Sequence, residues 1–278
     1  MIREHRYLRQ CAVSAWQMVT LIFLVVLVSQ AAESTQEWKL VWSDEFDGVD
    51  LDSSKWEFEV NASGGGNNEL QYYVTNNVQV RDGVLTIEAR MEHYTGVEGT
   101  REFTSSRLRT RRKADWLYGR FDIRARLPQG KGLWPAIWML PTASRYGGWP
   151  RGGEIDIMEL LGHRPDEVHG TLHYVDTNRR HASRGASYTL SGATFADGFH
   201  VFRFDWEPKV MRWYVDDNVY QTQTRWTSGT NSFPAPFDQR FHLLLNVAVG
   251  GNWPGRPDAA TKFPQTMFVD YVRVYQKQ

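Results

Sequence analysis

Hydrophobic and polar residues alternate with a period of two along most of the chain from Trp38 onward. In residues 118–127 the apolar positions fall on one face and the charged positions on the other, which is typical of a half-buried β-strand. Residues 199–206 and 211–215 follow the same pattern, whereas residues 241–249 are almost uniformly apolar, as a central strand buried on both faces would be. No segment keeps an apolar stripe of helical period for three turns, so the pattern predicts an all-β protein.

Turn residues separate these strands. Residues 78–87 are two alternating runs around Asp82-Gly83, a dipeptide that favours a tight β-hairpin. Many short strands between Gly, Pro and Asn residues are typical of two antiparallel sheets packed face to face as a sandwich. Because the chain shows no internal repeat and no low-complexity linker, we expect a single domain over residues 32–278.

The sequence also makes predictions for two loops and for the face of one acid in the last strand. The segment 63–68 is flexible by its glycine content, and the segment 227–238 contains Pro and Ser; either loop could border a cleft. In residues 267–275, regular alternation places Asp270 on the same face as Val272.

The first 31 residues resemble an export signal. Three arginines within the first nine residues precede an apolar run over residues 18–28, and small residues around Ala31 offer a cleavage site. The apolar run is short for a membrane span, which needs about 20 residues, although an uncleaved N-terminal anchor is the alternative. We therefore predict a signal peptide over residues 1–31 and a secreted product, extracellular or periplasmic, that is not held in a membrane.

The composition narrows the classes of function. Lys and Arg number 32, as do Asp and Glu, so a net charge of zero gives no electrostatic case for binding nucleic acid or an anionic membrane. The 12 tryptophans suit either a core or flat platforms for sugar rings. Cys11 is the only cysteine and lies within the predicted signal, which excludes disulfides, cysteine-ligated metals and a cysteine nucleophile from the mature protein.

Three carboxylates occur within six residues, at Glu154, Asp156 and Glu159, interleaved with apolar residues. On a regular strand Glu154 and Asp156 share one face, but Glu159 falls on the opposite, buried face, where a lone carboxylate is costly. One extra residue, a β-bulge near Ile157 and Met158, returns Glu159 to the face of the other two acids. We therefore predict a bulge at this position.

Three acids on one face repel each other, which is unfavourable for stability alone. Glycoside hydrolysis needs such a pair, because one carboxylate must be ionised to attack the anomeric carbon while another must be protonated to donate to the leaving oxygen. Close like charges separate the pKa values in this way. A solvated acidic face or a metal site is the alternative interpretation.

The acid motif and its surroundings resemble glycoside hydrolase family 16, and more narrowly its laminarinase-type endo-β-1,3-glucanases. The motif Glu-Ile-Asp-Ile-Met-Glu at residues 154–159 is highly specific, because relatives that act only on mixed-linkage glucan, or on xyloglucan, typically lack the extra Met158. The likeness covers nearly all of the chain after the signal. The other segments that carry it are residues 44–46, 68–73, 106–108, 133–141, 169–174, 245–253 and 270–275.

The resemblance implies a β-jelly-roll sandwich with a substrate cleft on its concave sheet, and a retaining, double-displacement hydrolysis. Glu154 would be the nucleophile and Glu159 the general acid/base, while Asp156 would tune the nucleophile by hydrogen bonding or repulsion. His173 would lie on a neighbouring strand near the nucleophile. A hydrogen-bonded strand histidine with no part in turnover is the alternative for His173.

The resemblance also implies a set of sugar-binding side chains. Trp134 and Trp138 lie four residues apart on one side of a strand and could form walls of the cleft, and Trp149 lies in a loop bounded by Gly and Pro where exposure is expected. Core packing is the alternative for each tryptophan. A lone polar residue in an apolar strand needs a partner, and a ligand hydroxyl is one candidate. The polar residues that match positions gripping hydroxyl groups are Asn67, Arg107 and Asn246.

A structural Ca²⁺ ion on the convex side is implied as well. Asp270 matches a ligand in the family's last strand, and Glu45 and Gly83 match main-chain oxygen donors. Oxygen-only ligands suit Ca²⁺, although an aspartate held by strand hydrogen bonds is the alternative. No cofactor is expected for catalysis.

The expected partner is therefore a β-1,3-glucan such as laminarin, bound by a monomer. Two alternatives stay open: the same chemistry on mixed-linkage β-1,3-1,4-glucan or a galactan, and a non-catalytic β-glucan-binding protein, which the presence of both glutamates disfavours. The balance between hydrolysis and transglycosylation depends on how the acceptor side excludes water.

Overall fold

The computed structural model describes residues 37–278, so the predicted signal peptide lies outside the described residues. Within residues 37–278, seventeen strands form two sheets, and Gly64–Gly66 form a 3₁₀ helix. The ten-stranded sheet contains β1 (Trp38–Asp44), β3 (Gln71–Tyr73), β4 (Val78–Arg81), β5 (Val84–Gly96), β6 (Gly99–Ser105), β8 (Gly119–Arg126), β13 (His200–Glu207), β14 (Val210–Val215), β15 (Asn218–Gln223) and β17 (Gln265–Lys277). The seven-stranded sheet contains β2 (Glu57–Phe58), β7 (Arg107–Arg109), β9 (Leu133–Pro141), β10 (Glu154–Leu160), β11 (Glu167–Val175), β12 (His181–Thr189) and β16 (Phe241–Val249).

Strands that are distant in sequence are neighbours in both sheets. The ten-stranded sheet runs β15-β14-β13-β8-β17-β5-β6-β3, with β1 also paired to β17 and β4 to β5. The seven-stranded sheet runs β12-β11-β10-β9-β16-β7-β2, which places the acid-bearing β10 near its centre. The described strand pairs are antiparallel except for β3 with β6. The two sheets form a β-jelly-roll sandwich, which confirms the predicted fold class.

The core lies between the two sheets. Ile155 and Ile157 of β10 point into it and are buried, as the alternation predicted. Trp213 of β14 is also buried and donates its indole N–H to the main-chain oxygen of Asp156 at 2.8 Å. This hydrogen bond joins the ten-stranded sheet to the strand that carries the acids.

Two local predictions are confirmed by the backbone. Asp82 and Gly83 join β4 to β5 with φ angles of 54° and 76°, the left-handed conformations that a two-residue hairpin turn requires. All nine residues of β16 are buried, as expected of a central strand.

The predicted face of Asp270 is wrong. The pairing of β17 with β8 shifts by one residue between Val269 and Tyr271, which is a β-bulge. Val269 and Val272 are therefore both buried, whereas Asp270 is partly exposed on the outer surface.

The glycine-rich segment and the segment 227–238 take defined positions. Asn252 donates its main-chain N–H to the Asn67 oxygen at 2.8 Å, which holds the 63–68 loop beside the end of β16. In the second loop Phe237 is buried and packs against Gly153, directly before β10. In the part of the chain that the structure describes, no helix has the length and apolar character to cross a membrane.

Candidate active site

A β-bulge in β10 brings the three acids to one face. Asp156 pairs with Thr171 on one side and with Trp138 on the other, but after the register shift Glu159 pairs with His169 and Ala136. One extra residue therefore separates the two acids relative to both neighbouring strands. The side chain of Met158 is fully buried as a result. The predicted bulge is confirmed.

Glu154, Asp156 and His173 form a compact cluster. Glu154 pairs with His173 across β10 and β11, and Asp156 Oδ2 lies 3.2 Å from His173 Nε2. One side-chain ligand atom from each of the three lies within 4.8 Å of the others. Asp156 is only 3% exposed, and its Oδ2 makes no hydrogen bond, so the contact with His173 is an ion-pair contact. Within residues 37–278 this is the one group of acidic and histidine side chains close enough to share a metal ion; we assign it to acid–base chemistry and place no metal there.

Burial and mutual repulsion hold protons on these acids. Burial, then the charge of Asp156, raises the pKa of Glu154 well above its usual range, while His173 and Arg107 oppose the rise. Burial raises the pKa of Asp156 from 3.8 to about 8. Burial and the charge of Asp156 also raise the pKa of Glu159, against the influence of His173 and the Trp134 hydrogen bond. The cluster can thus present an ionised and a protonated carboxyl group at the same pH.

An aromatic group adjoins Glu159 at one end of the site. Trp134 of β9 donates its indole N–H to Glu159 Oε1 at 3.0 Å. Trp253 packs edge-on against Trp134, with ring centroids 5.5 Å apart, and against His169 at 5.1 Å. Trp253 is 41% exposed and was not among the predicted site residues, although an aromatic residue beside Asn252 in a Gly- and Pro-bounded loop is a signal that could have found it.

The predicted residues Arg107, Trp138 and Asn246 meet beside this centre. The register of β7, β16 and β9 sets Asn246 opposite Arg107 and next to the strand that carries Trp138. Trp138 donates its indole N–H to Asn246 Oδ1 at 2.7 Å, and the Arg107 guanidinium lies 4.5 Å from the Trp138 ring centroid. Asn246, a polar residue of the mostly apolar strand β16, therefore has a partner within the protein. The nearby Asn67 lies in the loop fixed to Asn252.

Trp149 lies over a pair of histidines. Its side chain is 58% exposed, and its ring centroid is 6.3 Å from that of His173 and 4.8 Å from that of His181. His173 Nδ1 and His181 Nε2 are 2.9 Å apart. His181 was missed by sequence reasoning, because a histidine on a polar edge strand carries no signal of its own.

The three residues expected at a cation site lie in or beside the ten-stranded sheet, away from the acids. Asp44 pairs with Val272 and Leu85 with Val269, so Asp270 lies between the end of β1 and the start of β5. The residues next to these strand ends are Glu45 and Gly83. The three residues therefore lie in neighbouring parts of the ten-stranded sheet and not at the acid site.

Comparisons with known proteins agree with this geometry. A sequence model described as "Glycosyl hydrolases family 16" matches residues 66–273. The chain is 48% identical over 277 residues to a "Beta-glucanase" from Rhodothermus marinus, with 95% of this chain and 94% of that protein covered. It is 42% identical over 261 residues to a "Glucan endo-1,3-beta-glucosidase" from Cryptopygus antarcticus, with 89% and 96% covered. The solved catalytic domain of an endo-1,3-beta-glucanase (laminarinase) from Thermotoga petrophila RKU-1 matches with a TM-score of 0.80 at 42% identity, over 87% of this chain and 99% of that chain.

Proposed function

The chain belongs to glycosyl hydrolase family 16 and is a glycoside hydrolase, and we propose that it cleaves β-1,3-glucan within the polymer, with retention of configuration at the anomeric carbon. The observation that carries the proposal is the bulge between Asp156 and Glu159, which sets Glu159 on the face of Glu154. The names of the similar enzymes support the choice of glucan.

The proposed reaction has two displacements. Glu154 attacks the anomeric carbon while Glu159 donates a proton to the leaving oxygen, so the glycosidic C–O bond breaks and a glycosyl ester forms. Glu159, now ionised, then takes a proton from water, whose oxygen attacks the anomeric carbon and releases Glu154 as a carboxylate. Two inversions give net retention.

The surroundings of the two glutamates support these roles. His173 and Arg107 both act against the raised pKa of Glu154, which favours its ionised, nucleophilic form. Glu159 is buried beside the charge of Asp156, which keeps its pKa high, as a proton donor requires. Asp156 forms no bond to the sugar in this scheme and acts on its neighbours through charge.

Aromatic and polar side chains along the seven-stranded sheet would hold the polymer. Trp134 lies at the Glu159 end, Trp138 next to Arg107, and Trp149 beyond His173. Sugar rings stack on such flat faces through their C–H groups. Arg107, together with Asn67 and Asn246, supplies polar atoms for the hydroxyl groups.

Azide rescue tests the two roles. With an activated substrate, Glu159→Ala should still form the glycosyl ester, and azide should release it as the β-glycosyl azide. Glu154→Ala with azide should give the α-azide by a single inversion. Glu167→Ala, on the neighbouring strand β11, is the control and should cleave ordinary glucan normally. The opposite stereochemistry, read by NMR, would exchange the two roles.

Substrate choice is tested with three polysaccharides. We expect reducing ends to appear fastest from laminarin, with products of many lengths at early times because cleavage is internal. Faster cleavage of lichenan or agarose would move the assignment to mixed-linkage glucan or galactan. Binding of laminarin without any cleavage would favour a non-catalytic glucan-binding protein.

We further propose a structural Ca²⁺ ion held by the Asp270 carboxylate and by the main-chain oxygens of Glu45 and Gly83, an oxygen-only set that fits this ion. Arg124 donates to Asp270 Oδ2 at 2.5 Å and would compete with the ion for this carboxylate. The ion would stabilise the fold and take no part in the reaction. Chelation should then lower the melting temperature, and an unchanged melt in excess chelator would remove calcium from the proposal.

The proposal that the protein is secreted depends on a signal peptide at residues 1–31. We propose cleavage after Ala31, so mass spectrometry of the exported protein should find an N-terminus near Ala32 and a monomeric mass. Recovery of the full-length chain from membranes would favour an uncleaved anchor.

A further inference from the structure

A chain of three polar side chains leads from the acid cluster to the protein surface. Asp156 Oδ2 lies 3.2 Å from His173 Nε2, and His173 Nδ1 lies 2.9 Å from His181 Nε2. Burial decreases from the first of these three side chains to the last: Asp156 is buried, His173 is half-buried, and His181 is exposed on the edge strand β12. The two imidazole rings are stacked, with centroids 5.1 Å apart and planes inclined by 22°.

The two histidines determine each other's protonation. Only one proton fits between His173 Nδ1 and His181 Nε2. When Asp156 is ionised, its carboxylate 3.2 Å away favours a proton on His173 Nε2, so His173 Nδ1 is a lone pair and His181 must donate from Nε2. The free nitrogen of His181, Nδ1, is then unprotonated at the surface.

A proton can cross this chain without charging either ring. A proton that binds His181 Nδ1 sends the Nε2 proton of His181 to His173 Nδ1, and the Nε2 proton of His173 to Asp156 Oδ2. Both histidines end neutral, each with its tautomer reversed, and Asp156 ends protonated. One proton has entered and none is lost, so the step balances.

We propose that His181 is a positioning residue that fixes the tautomer of His173 and completes a proton relay between Asp156 and solvent. Its use in turnover rests on the proposed function. When Glu154 becomes an ester, its charge disappears, the repulsion on Asp156 falls and Asp156 can release a proton; when Glu154 is freed, Asp156 regains it. A polymer lying over the acids would cover the direct route to water, whereas β12 lies at the edge of the sheet.

The groups around the pair suit a relay of neutral rings. His173 is faced by Glu154 and Asp156 from β10, and His181 is faced by His173 and the uncharged ring of Trp149. Partial burial and the neighbouring His173 lower the pKa of His181, so it stays neutral at pH 7 and can both accept and donate.

Two substitutions separate tautomer control from relay. His181→Phe keeps a ring beneath Trp149 but removes both nitrogens, whereas His181→Gln keeps an N–H donor for His173 Nδ1 that cannot pass a proton on. The control is His163→Phe, at an exposed histidine after β10. If His181→Phe does not fold, His181→Gln alone still tests the relay.

The first measurement is the ¹⁵N shift of the His173 ring in free protein, which needs no substrate and stays readable even if the proposed function fails. At a pH above the Asp156 pKa of about 8, where this carboxylate is ionised, we expect the Nε2–H tautomer in the wild type, His181→Gln and His163→Phe, and a mixture of tautomers in His181→Phe. An unchanged His173 signal in His181→Phe would overturn the tautomer assignment.

The second measurement is the pH dependence of kcat and KM. Both His181 variants should lose about tenfold in kcat with little change in KM, the size usual for a partner that orients a reacting group. The pH profile of kcat should also shift relative to His163→Phe. A kcat profile equal to that of the control would overturn the relay.

Discussion

The carboxylates of the ten-stranded sheet and those of strand β10 lie in opposite environments. On the ten-stranded sheet, Arg120 donates two hydrogen bonds to Asp205, at 2.6 and 2.7 Å, and Arg203 donates two to Asp122, at 2.8 and 3.1 Å. On the seven-stranded sheet, the carboxylates of β10 lie against each other, His173 and Trp134. The same residue type is neutralised by a cation on the ten-stranded sheet and left among like charges on β10.

The pKa values follow this division. Arg273 lowers the pKa of Glu45 beside the ten-stranded sheet, whereas burial and the charge of Asp156 raise the pKa of Glu154 on the seven-stranded sheet. Carboxylates paired with a cation stabilise the fold. Carboxylates crowded together destabilise it, but their raised pKa values provide the proton affinities that acid–base catalysis needs. One sandwich can thus hold stabilising carboxylates and reactive carboxylates in separate places.

The largest expected effect comes from neutralising an acid of β10. Glu159→Gln should lower kcat on laminarin by roughly 10²–10⁴-fold, because the leaving oxygen loses its proton donor. Its melting temperature at pH 7 should equal or exceed that of the wild type, since Glu159 must take up a proton on folding and Gln need not. Glu167→Gln is the matched control for activity. A Glu159→Gln variant that is both active and less stable would contradict the division between the sheets.

A second prediction concerns the pH dependence of stability at Asp156. Its pKa is raised from 3.8 to about 8 on folding, so the folded state binds the proton more tightly. The free energy of unfolding of the wild type should therefore fall as pH rises between these values. Relative to the wild type, Asp156→Asn should become more stable across this window, by on the order of a few kcal/mol in total. Urea unfolding from pH 5 to 9 measures the difference, and a difference that is constant with pH would refute the account.

Neutralising a paired acid should have the opposite sign. Asp205→Asn removes the negative charge beside Arg120 and one of the two oxygens that accept its hydrogen bonds, and Asp205 is almost fully buried. We expect the free energy of unfolding to fall by about 2 kcal/mol, below the range for fully buried pairs because Arg120 keeps access to water. Activity per folded molecule should not change. Loss of kcat in a fully folded Asp205→Asn protein would show that the sheets are not independent.

The smallest effect is expected at the exposed pair of Glu45 with Arg273. Glu45→Gln should cost no more than about 1 kcal/mol at pH 7, because solvent screens pairs of this kind. The pKa of Glu45 is lowered on folding, so its contribution is present above the unfolded value of 4.5 and lost as pH falls through the folded value. The melting temperatures of variant and wild type should converge in acid and in high salt. A difference that persists under both conditions would point to lost packing instead of charge.

The predictions of strands and turns from the sequence were confirmed because these features depend on residues adjacent in the chain. Alternation in residues 118–127 and the Asp82-Gly83 turn predicted strand and hairpin, since the faces of a strand and the φ angles of a turn are set by adjacent residues. The bulge in β10 was also predictable, because burying Glu159 without it is costly.

The sequence by itself thus determined the strand pattern, the all-β class and the acids that share a face. Only the tertiary structure decided which side chains from distant strands meet: Arg107 with Trp138, Trp253 with His169, and His181 with His173. It also decided the face of Asp270, because the bulge there depends on the pairing of β17 with β8. Such contacts follow from the order and register of strands far apart in the chain, and a period of two within one strand carries no information about which strand lies beside it.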